Sequence, residues 1–371
     1  MAGVVGLVGA IVGLAGPAGA KAQPSTVYVS SSGSSSAGDH SCRTAAFSSI
    51  QAAVESTANP GTVVVCRGTY QQSVTVDHRV NLSGQPGAVI DATGQPYGVG
   101  VAASGVTVSG LTVENASDTS NGSPADGIIT AGFIDGVPTP ANHVTIIHNV
   151  TEDNGGAGID VNSTSDSVTA DNISSGNGIG INVSDDLGMP ASHDKILGNK
   201  ASGNPGGCGI VLAEHSGAGI FGDLVSGNVA NDNGLGSPSA PDASAGSGII
   251  LAGAAMTGGV YDNTIDGNTF NGNGHGGVAL HAHAPGLNFG GNSVVGNRIG
   301  INNLRTDFDD TSTTGIYLGD ASPLSITVAG NSILGDQIGI FTAGTIGIRK
   351  ELQNSFVRVA TPVAGTPTYA G

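Results

Sequence analysis

The stretch NVTEDNGGAGIDV, residues 149–161, contains a motif that recurs through the central half of the chain: an Asn, four residues, and a second Asn. A Gly followed by Ile or another apolar residue comes after most of these pairs. The first Asn stands at positions 149, 172, 199, 228, 268 and 297, the second at 154, 177, 204, 233, 273 and 302, and a seventh copy pairs Asn331 with Asp336. A motif repeated in this way indicates an architecture of stacked repeats.

Each motif precedes a short segment in which apolar residues alternate with variable ones, as in Gly158-Ile159-Asp160-Val161. This alternation predicts a strand whose Ile and Val side chains point inward and whose intervening residue points outward. Leucine-rich spacing and long helical patterns are absent from the repeats. We therefore predict an all-β fold, a right-handed parallel β-helix of about ten coils in which equivalent Asn amides hydrogen-bond from coil to coil.

The repeats resemble those of the pectate-lyase-like superfamily and of nitrous-oxide-reductase-maturation-type β-helix proteins. The resemblance covers about residues 26–350, and it implies an entrance cap, residues 26–76, whose helix over Ala45–Glu55 covers the open first coil. Pectate-lyase-type enzymes use calcium-binding Asp residues with a catalytic Arg, whereas residues 153–296 of this chain contain no Arg. The resemblance therefore transfers no catalytic residue.

The two ends of the chain differ from the repeats. Residues 1–22 are apolar and small up to Lys21, which predicts a signal peptide, although a Gly/Ala-rich tail or a membrane span has the same composition. Residues 26–359 are predicted to form one β-helix domain, and residues 360–371 a tail. We expect a secreted, extracellular monomer that has no membrane association once the signal is cleaved.

The acidic composition limits the kinds of molecule that this protein can bind. The formal net charge is −17 with only 11 Lys plus Arg, which excludes nucleic acid and anionic membranes as partners. A polysaccharide is the partner that suits a long solenoid surface, because equivalent side chains form a straight row along it. The acidic charge favours a neutral glycan, or an acidic glycan bridged by Ca²⁺.

The three cysteines differ in their positions. Cys42 and Cys66 flank the predicted cap helix, and in an exported protein we predict a disulfide between them. Cys208 stands two residues before Ile210, in what the alternation predicts to be an inward position. We therefore expect Cys208 to be buried and free.

Stacking of the coils predicts a candidate catalytic patch on the outward row after the Gly-Ile strands. Asp186 and His215 would lie one coil apart, about 5 Å, and His283 two coils further on. Glu214 lies at the neighbouring turn, so the candidate catalytic residues are Asp186, Glu214, His215 and His283. A carboxylate beside an imidazole can act as an acid/base pair, but solvent-facing polar residues also pair without any function.

Two metal sites are also compatible with the sequence. His281 and His283 have strand spacing on one face, which suits a transition metal if a third ligand is present. Asp307, Asp309 and Asp310 form an acidic loop whose oxygens suit Ca²⁺, although a solvated acidic loop has the same composition.

Three functions remain open from the sequence. The first is a secreted protein that acts on or binds an extracellular polysaccharide, as a polysaccharide lyase or glycoside hydrolase if it is an enzyme. The second is a non-catalytic surface or structural scaffold, and the third is a metal-handling accessory protein. Whether the chain is an enzyme, and which cofactor it uses if any, is not decided by residue patterns alone.

Overall fold

Three long sheets of parallel strands wind around one interior. The computed structural model describes residues 23–33, 40–120, 124–134, 137–236, 246–255, 257–305, 312–320, 324–344, 346–350 and 353–369. Each regular coil contributes one strand to each sheet in turn, and every pairing within the three sheets is parallel. The fold is the predicted right-handed parallel β-helix, which confirms the fold class.

The first sheet has thirteen strands, which follow one another across the sheet in the order of the chain. They are Thr26–Val29, Gly61–Val65, Val80–Gly84, Thr107–Ser109, Thr145–Ile147, Val168–Ala170, Lys195–Leu197, Leu224–Ser226, Thr264–Asp266, Ser293–Val295, Leu324–Ala329, Ile346–Lys350 and Thr368–Tyr369.

The second sheet has eleven strands. They are Gly68–Gln71, Ala88–Asp91, Thr112–Glu114, Val150–Glu152, Ile173–Ser175, Lys200–Ala201, Val229–Asn231, Thr269–Asn271, Arg298–Ile299, Ser332–Leu334 and Ser355–Val357.

The third sheet also has eleven strands, close to the ten coils predicted, and it carries the candidate site. Its strands are Val74–Val76, Tyr97–Val101, Asp126–Ile129, Ala157–Asn162, Ile179–Ser184, Ile210–Glu214, Ile249–Gly253, Val278–Ala282, Thr314–Asp320, Ile338–Ala343 and Thr361–Gly365. A three-stranded sheet (Ala191–Ser192, Ile220–Phe221, Val260–Tyr261) and a hairpin (Ala131–Ile134, Val137–Pro140) complete the strands.

The interior of the third sheet consists of two apolar rows, one residue of each row from every coil. The first row runs from Ile159 through Ile181, Ile210, Ile249, Val278 and Ile316 to Ile340, and all of these residues are fully buried. Burying one such side chain stabilises the fold by roughly 1.5–3 kcal/mol, so the rows supply the main driving force for stacking.

The Asn residues of the repeated motif form two ladders inside the coil corners. Asn199 is representative: its Oδ1 accepts hydrogen bonds from the backbone N–H and the Nδ2 of Asn172, and its own Nδ2 donates to Thr169 O and to Oδ1 of Asn228. The second ladder runs from Asn154 through 177, 204, 233 and 273 to 302. The predicted stacking is confirmed, and each amide satisfies backbone groups that the corner would leave unpaired.

A third, shorter ladder contains two carboxylates. Oδ1 of Asp223 accepts the backbone N–H of Asp194, and Asp223 N–H donates to Oδ1 of Asn263. Oδ2 of Asp223 is buried without a hydrogen-bond partner. Burial, followed by the charge of Asp194, holds the pKa of Asp223 well above its usual range, and burial raises the pKa of Asp194 to about 7.

We expect Asp223→Asn to stabilise the protein by about 1–3 kcal/mol at pH 8, because the new Nδ2 completes the ladder where a buried oxygen now has no partner. A carboxyl whose pKa is raised by folding contributes stability below its unfolded pKa of about 3.9 and loses it as pH rises through the folded pKa. The gain should therefore shrink toward pH 4. Chemical denaturation at both pH values measures this gain in the free energy of unfolding. The control is Asp232→Asn, which changes an exposed carboxylate. An equal gain at both pH values would contradict this account.

The N-terminal cap contains the predicted helix and disulfide, with one correction. The helix spans Ile50–Ser56 and begins five residues later than the predicted Ala45, because the Ser49 side chain caps it by accepting the Ala52 N–H. Cys42 and Cys66 form a disulfide, as predicted. No helix of the described residues is long and apolar enough to cross a membrane.

Two further predictions concern the ends. Thr361–Gly365 and Thr368–Tyr369 pair with the preceding coil, so the segment predicted as a tail is part of the β-helix. The predicted signal peptide, residues 1–22, lies outside the described residues.

Candidate functional site

The outer face of the third sheet carries a groove that runs along the β-helix axis. Its central column of outward side chains reads, coil by coil, Asp160, Asn182, Val211, Ile250, Ala279 and Tyr317. Two cavities lie along the groove and share Ile179. We call them the acidic cavity, about 350 Å³ around Asp126, Asp160, Asn182 and Asp186, and the histidine cavity, about 440 Å³ around Cys208, Val211, Ile250, His275, His281 and His283.

Asp186 and His215 meet at the edge of the acidic cavity. Oδ1 of Asp186 lies 2.7 Å from Nδ1 of His215, and the two side chains are 42% and 49% exposed. The hydrogen bond to Asp186 raises the pKa of His215, although partial burial opposes the shift. The hydrogen bond therefore favours the protonated imidazole, and both side chains remain accessible to a ligand.

Asp185 positions this pair by holding the turn that follows the Ile210–Glu214 strand. Its carboxylate accepts the backbone N–H groups of His215, Ser216, Ala218 and Gly219 at 2.7–3.0 Å. Burial raises the pKa of Asp185, but these donors outweigh it and leave the pKa below its usual range. Asp185 is thus an ionised anchor for the turn rather than a reactive group.

Glu214 is next to His215 in the sequence, but its side chain does not point toward the Asp186–His215 pair. Its side chain is fully buried; Oε1 accepts the Gly217 N–H and Oε2 the Ala255 N–H. The structure therefore places this predicted catalytic residue within the turn, beneath the surface that a ligand would reach.

His283 lies in the histidine cavity, apart from the acidic one. Its ring stacks on that of His281, with ring centroids 4.3 Å apart. The ring centroids of His281 and Tyr317 are 6.3 Å apart. The structure thus brings Asp186 and His215 together as predicted, but it places His283 in the other cavity, so the three residues do not form one compact patch.

Two carboxylates that sequence reasoning missed line the acidic cavity. Asp126 and Asp160 are 3% and 5% exposed. Burial, and then the nearby charge of Asp186, raises the pKa of Asp160 to about 7, while burial and the charge of Asp160 raise that of Asp126 well above its usual range. The sequence carried one signal for Asp160. Its outward position is occupied by Asn, Val, Ile, Ala and Tyr in the following coils, so a carboxylate there is exceptional.

Cys208 corrects another expectation. It is free, as predicted, but it is half-buried and lines the histidine cavity instead of the core. The reason lies at the neighbouring glycine: Gly209 packs against the second Asn ladder, where a Cβ would stand 2.7 Å from Nδ2 of Asn233. Because Gly209 and Ile210 are both buried in succession, strict alternation breaks there and Cys208 turns outward. The proposed calcium ligands Asp307, Asp309 and Asp310 lie outside the described residues.

Comparison with known proteins gives one family and several solved structures. A family model described as "Periplasmic copper-binding protein (NosD)" matches residues 80–298. No curated protein sequence matches significantly. The solved structures include the Azotobacter vinelandii mannuronan C-5 epimerase AlgE4 A-module, at 18% identity and TM-score 0.57 over 87% of this chain and 95% of that one. Pectate lyase Pel9A is similar at 16% identity and TM-score 0.52, over 92% of this chain and 78% of that one. At these identities the structural likeness shows the shared β-helix fold alone.

Proposed function

This chain belongs to the family described as periplasmic copper-binding protein (NosD), and we propose that it is exported and that its groove binds and acts on a polysaccharide. The observation that carries the proposal is the Asp186–His215 pair, 2.7 Å apart and half-exposed, at the edge of a groove that follows the β-helix axis. A polymer can lie along such a groove, since equivalent positions recur at every coil, roughly 4.8 Å apart.

The pair supplies proton transfer. The imidazole of His215 takes up or releases a proton at the sugar, and Asp186 fixes the ring and stabilises its protonated form. Lyases and glycoside hydrolases both need such a group beside the bond that is cleaved. The mannuronan epimerase and the pectate lyase of similar fold are named for polysaccharide substrates, which supports a polysaccharide as the substrate here.

The family description names copper, so the fit of the donor groups matters. The rings of His281 and His283 are stacked, with planes 20° apart. Because imidazole lone pairs lie in the ring planes, two stacked rings direct their nitrogens side by side rather than toward one point. Across the residues that the structure describes, no three His, Cys, Asp or Glu side chains are grouped so as to hold a metal ion. This arrangement does not fit a copper centre, and the proposed chemistry rests on the acid and base groups of the chain.

A panel of neutral, acidic and amino polysaccharides tests the proposal, with binding, new reducing ends and unsaturated products as readouts. We expect at least one polysaccharide to bind. Ile250→Arg, which places a long cation in the middle of the groove, should weaken that binding on the order of tenfold. Ser226→Arg, at an equally half-buried outward position of the first sheet, should leave it unchanged.

Binding that survives Ile250→Arg would place the ligand elsewhere. An absence of binding across the whole panel would leave the non-catalytic scaffold as the better account.

A further inference from the structure

Three carboxyl groups line the acidic cavity, and burial and mutual repulsion disfavour the charged forms of Asp126 and Asp160. Asp126, Asp160 and Asp186 line it together with Asn182, and the described residues around it include neither Lys nor Arg. His215, which holds Asp186, is the one basic side chain that the structure shows in contact with these carboxylates. The whole chain repeats this imbalance with its net charge of −17. A cationic ligand in the cavity would balance these carboxyl groups and favour their charged forms.

Asp126 shows where that charge is missing. Its Oδ1 accepts the Ala157 N–H at 2.6 Å, but its Oδ2 is buried and has no hydrogen-bond partner. Asp160 has a partner on each oxygen: Oδ1 accepts from Nδ2 of Asn182 at 3.0 Å, and Oδ2 accepts from Nδ2 of Asn162 at 3.5 Å. An unpaired buried carboxylate oxygen is unfavourable unless a donor reaches it, so the free lone pairs of Asp126 mark a place for an N–H or O–H group of a ligand.

An ammonium group fits this cavity better than a metal ion does. A metal needs several donors converging on one point, and the described residues contain no such group of three or more. An ammonium carries three N–H donors at ordinary hydrogen-bond length and forms strong charge-assisted bonds with carboxylates. Carried on a sugar ring, it would enter the cavity from the groove, as the open edge beside Asp186 allows.

Resting on the proposed polysaccharide function, we propose that the acidic cavity is a subsite for the ammonium group of an amino sugar, and that the substrate class is a cationic polysaccharide of N-unacetylated amino sugars. Asp126 and Asp160 receive the ammonium, and the neutral remainder of each sugar lies along Val211 and Ile250. The negative field of the chain attracts such a polymer and repels polyuronates.

Titration calorimetry with three hexasaccharides tests this: glucosamine, N-acetylglucosamine and glucose oligomers of the same linkage. Wild-type protein should bind the glucosamine oligomer about tenfold more tightly than the other two. Asp126→Asn and Asp160→Asn keep the shape and remove the charge, so each should lower the affinity for the glucosamine oligomer to that of the glucose oligomer. The ratio of the glucosamine and glucose affinities, measured on each variant, should therefore fall to about one.

Asp223→Asn is the matched control, because Asp223 is also buried with an unpaired Oδ2 but lies in the third ladder, away from the groove. It should preserve the preference. Equal affinity for all three oligomers, or an equal loss in Asp223→Asn, would overturn the amino-sugar subsite while leaving the polysaccharide function standing. A different result would be binding of an oligogalacturonate that requires Ca²⁺ and is abolished by Asp160→Asn. That result would assign the cavity to a divalent cation and would also overturn the amino-sugar subsite. Failure of every oligomer and of the whole polysaccharide panel would remove the proposed function itself.

Discussion

Asn199→Ala is expected to lower the free energy of unfolding by about 3–5 kcal/mol, because it leaves several buried polar groups unpaired at once. Asn199 lies in the middle of the first Asn ladder. Its removal takes the acceptor from both the N–H and the Nδ2 of Asn172, and the donor from Thr169 O and Asn228 Oδ1. No water can replace the amide unless the corner opens, since Asn199 is 1% exposed.

Asn231→Ala is the matched control for that experiment. Asn231 lies in the next coil, and its side-chain Oδ1 has no hydrogen-bond partner. Its replacement should cost less than about 1 kcal/mol. Urea denaturation of both variants gives the comparison, and equal losses would mean that the ladder contributes no more than any other half-buried amide.

His215→Gln and Asp186→Asn are expected to lower kcat/KM on the polysaccharide that the panel identifies by about 10²–10⁴-fold, the usual contribution of a positioned acid/base group. The two residues act as one unit, so the double variant should be no slower than the slower single variant. Both side chains are about half-exposed, and the exposed ion pair contributes little to stability, so the melting temperature should stay nearly constant.

The control for this pair is a second Asp–His contact outside the groove. Nδ1 of His78 lies 2.8 Å from Oδ1 of Asp77 near the N-terminal cap. The double variant Asp77→Asn/His78→Gln removes a contact of the same chemistry and should retain full activity. Equal losses in the two pairs would indicate a general effect of charge and would remove Asp186 and His215 from the catalytic role.

The sequence predicted the features that repetition itself enforces. A ladder needs the same side chain at the same corner of each coil, so the Asn spacing alone located Asn149 above Asn172 and Asn199. The same register predicted that Asp186 would lie beside His215. Alternation along Ile159, Asp160 and Val161 likewise predicted which face each residue occupies.

The remaining features depend on how the chain leaves a strand. Glu214 ends a strand in the inward phase of Ile210 and Leu212, and the Gly217 N–H of the turn after it holds the carboxylate inside; the prediction treated Glu214 as a surface turn residue and missed this bond. Cys208 turns outward because Gly209 must pack against an Asn amide. Asp126 belongs to a coil that lacks the Asn pair, so nothing in the motif places it beside Asp160. The burial that raises the pKa values of both carboxyl groups is a property of the packed coils, and the local sequence has no pattern that predicts it.

The most direct measurement of the central claim is a crystal structure of the protein with the oligosaccharide that the panel selects. The account predicts sugar rings along the outer face of the third sheet, over Val211 and Ile250, with one sugar within hydrogen-bond distance of His215 and Asp186. An oligosaccharide bound to the first or second sheet, with the groove empty, would contradict it.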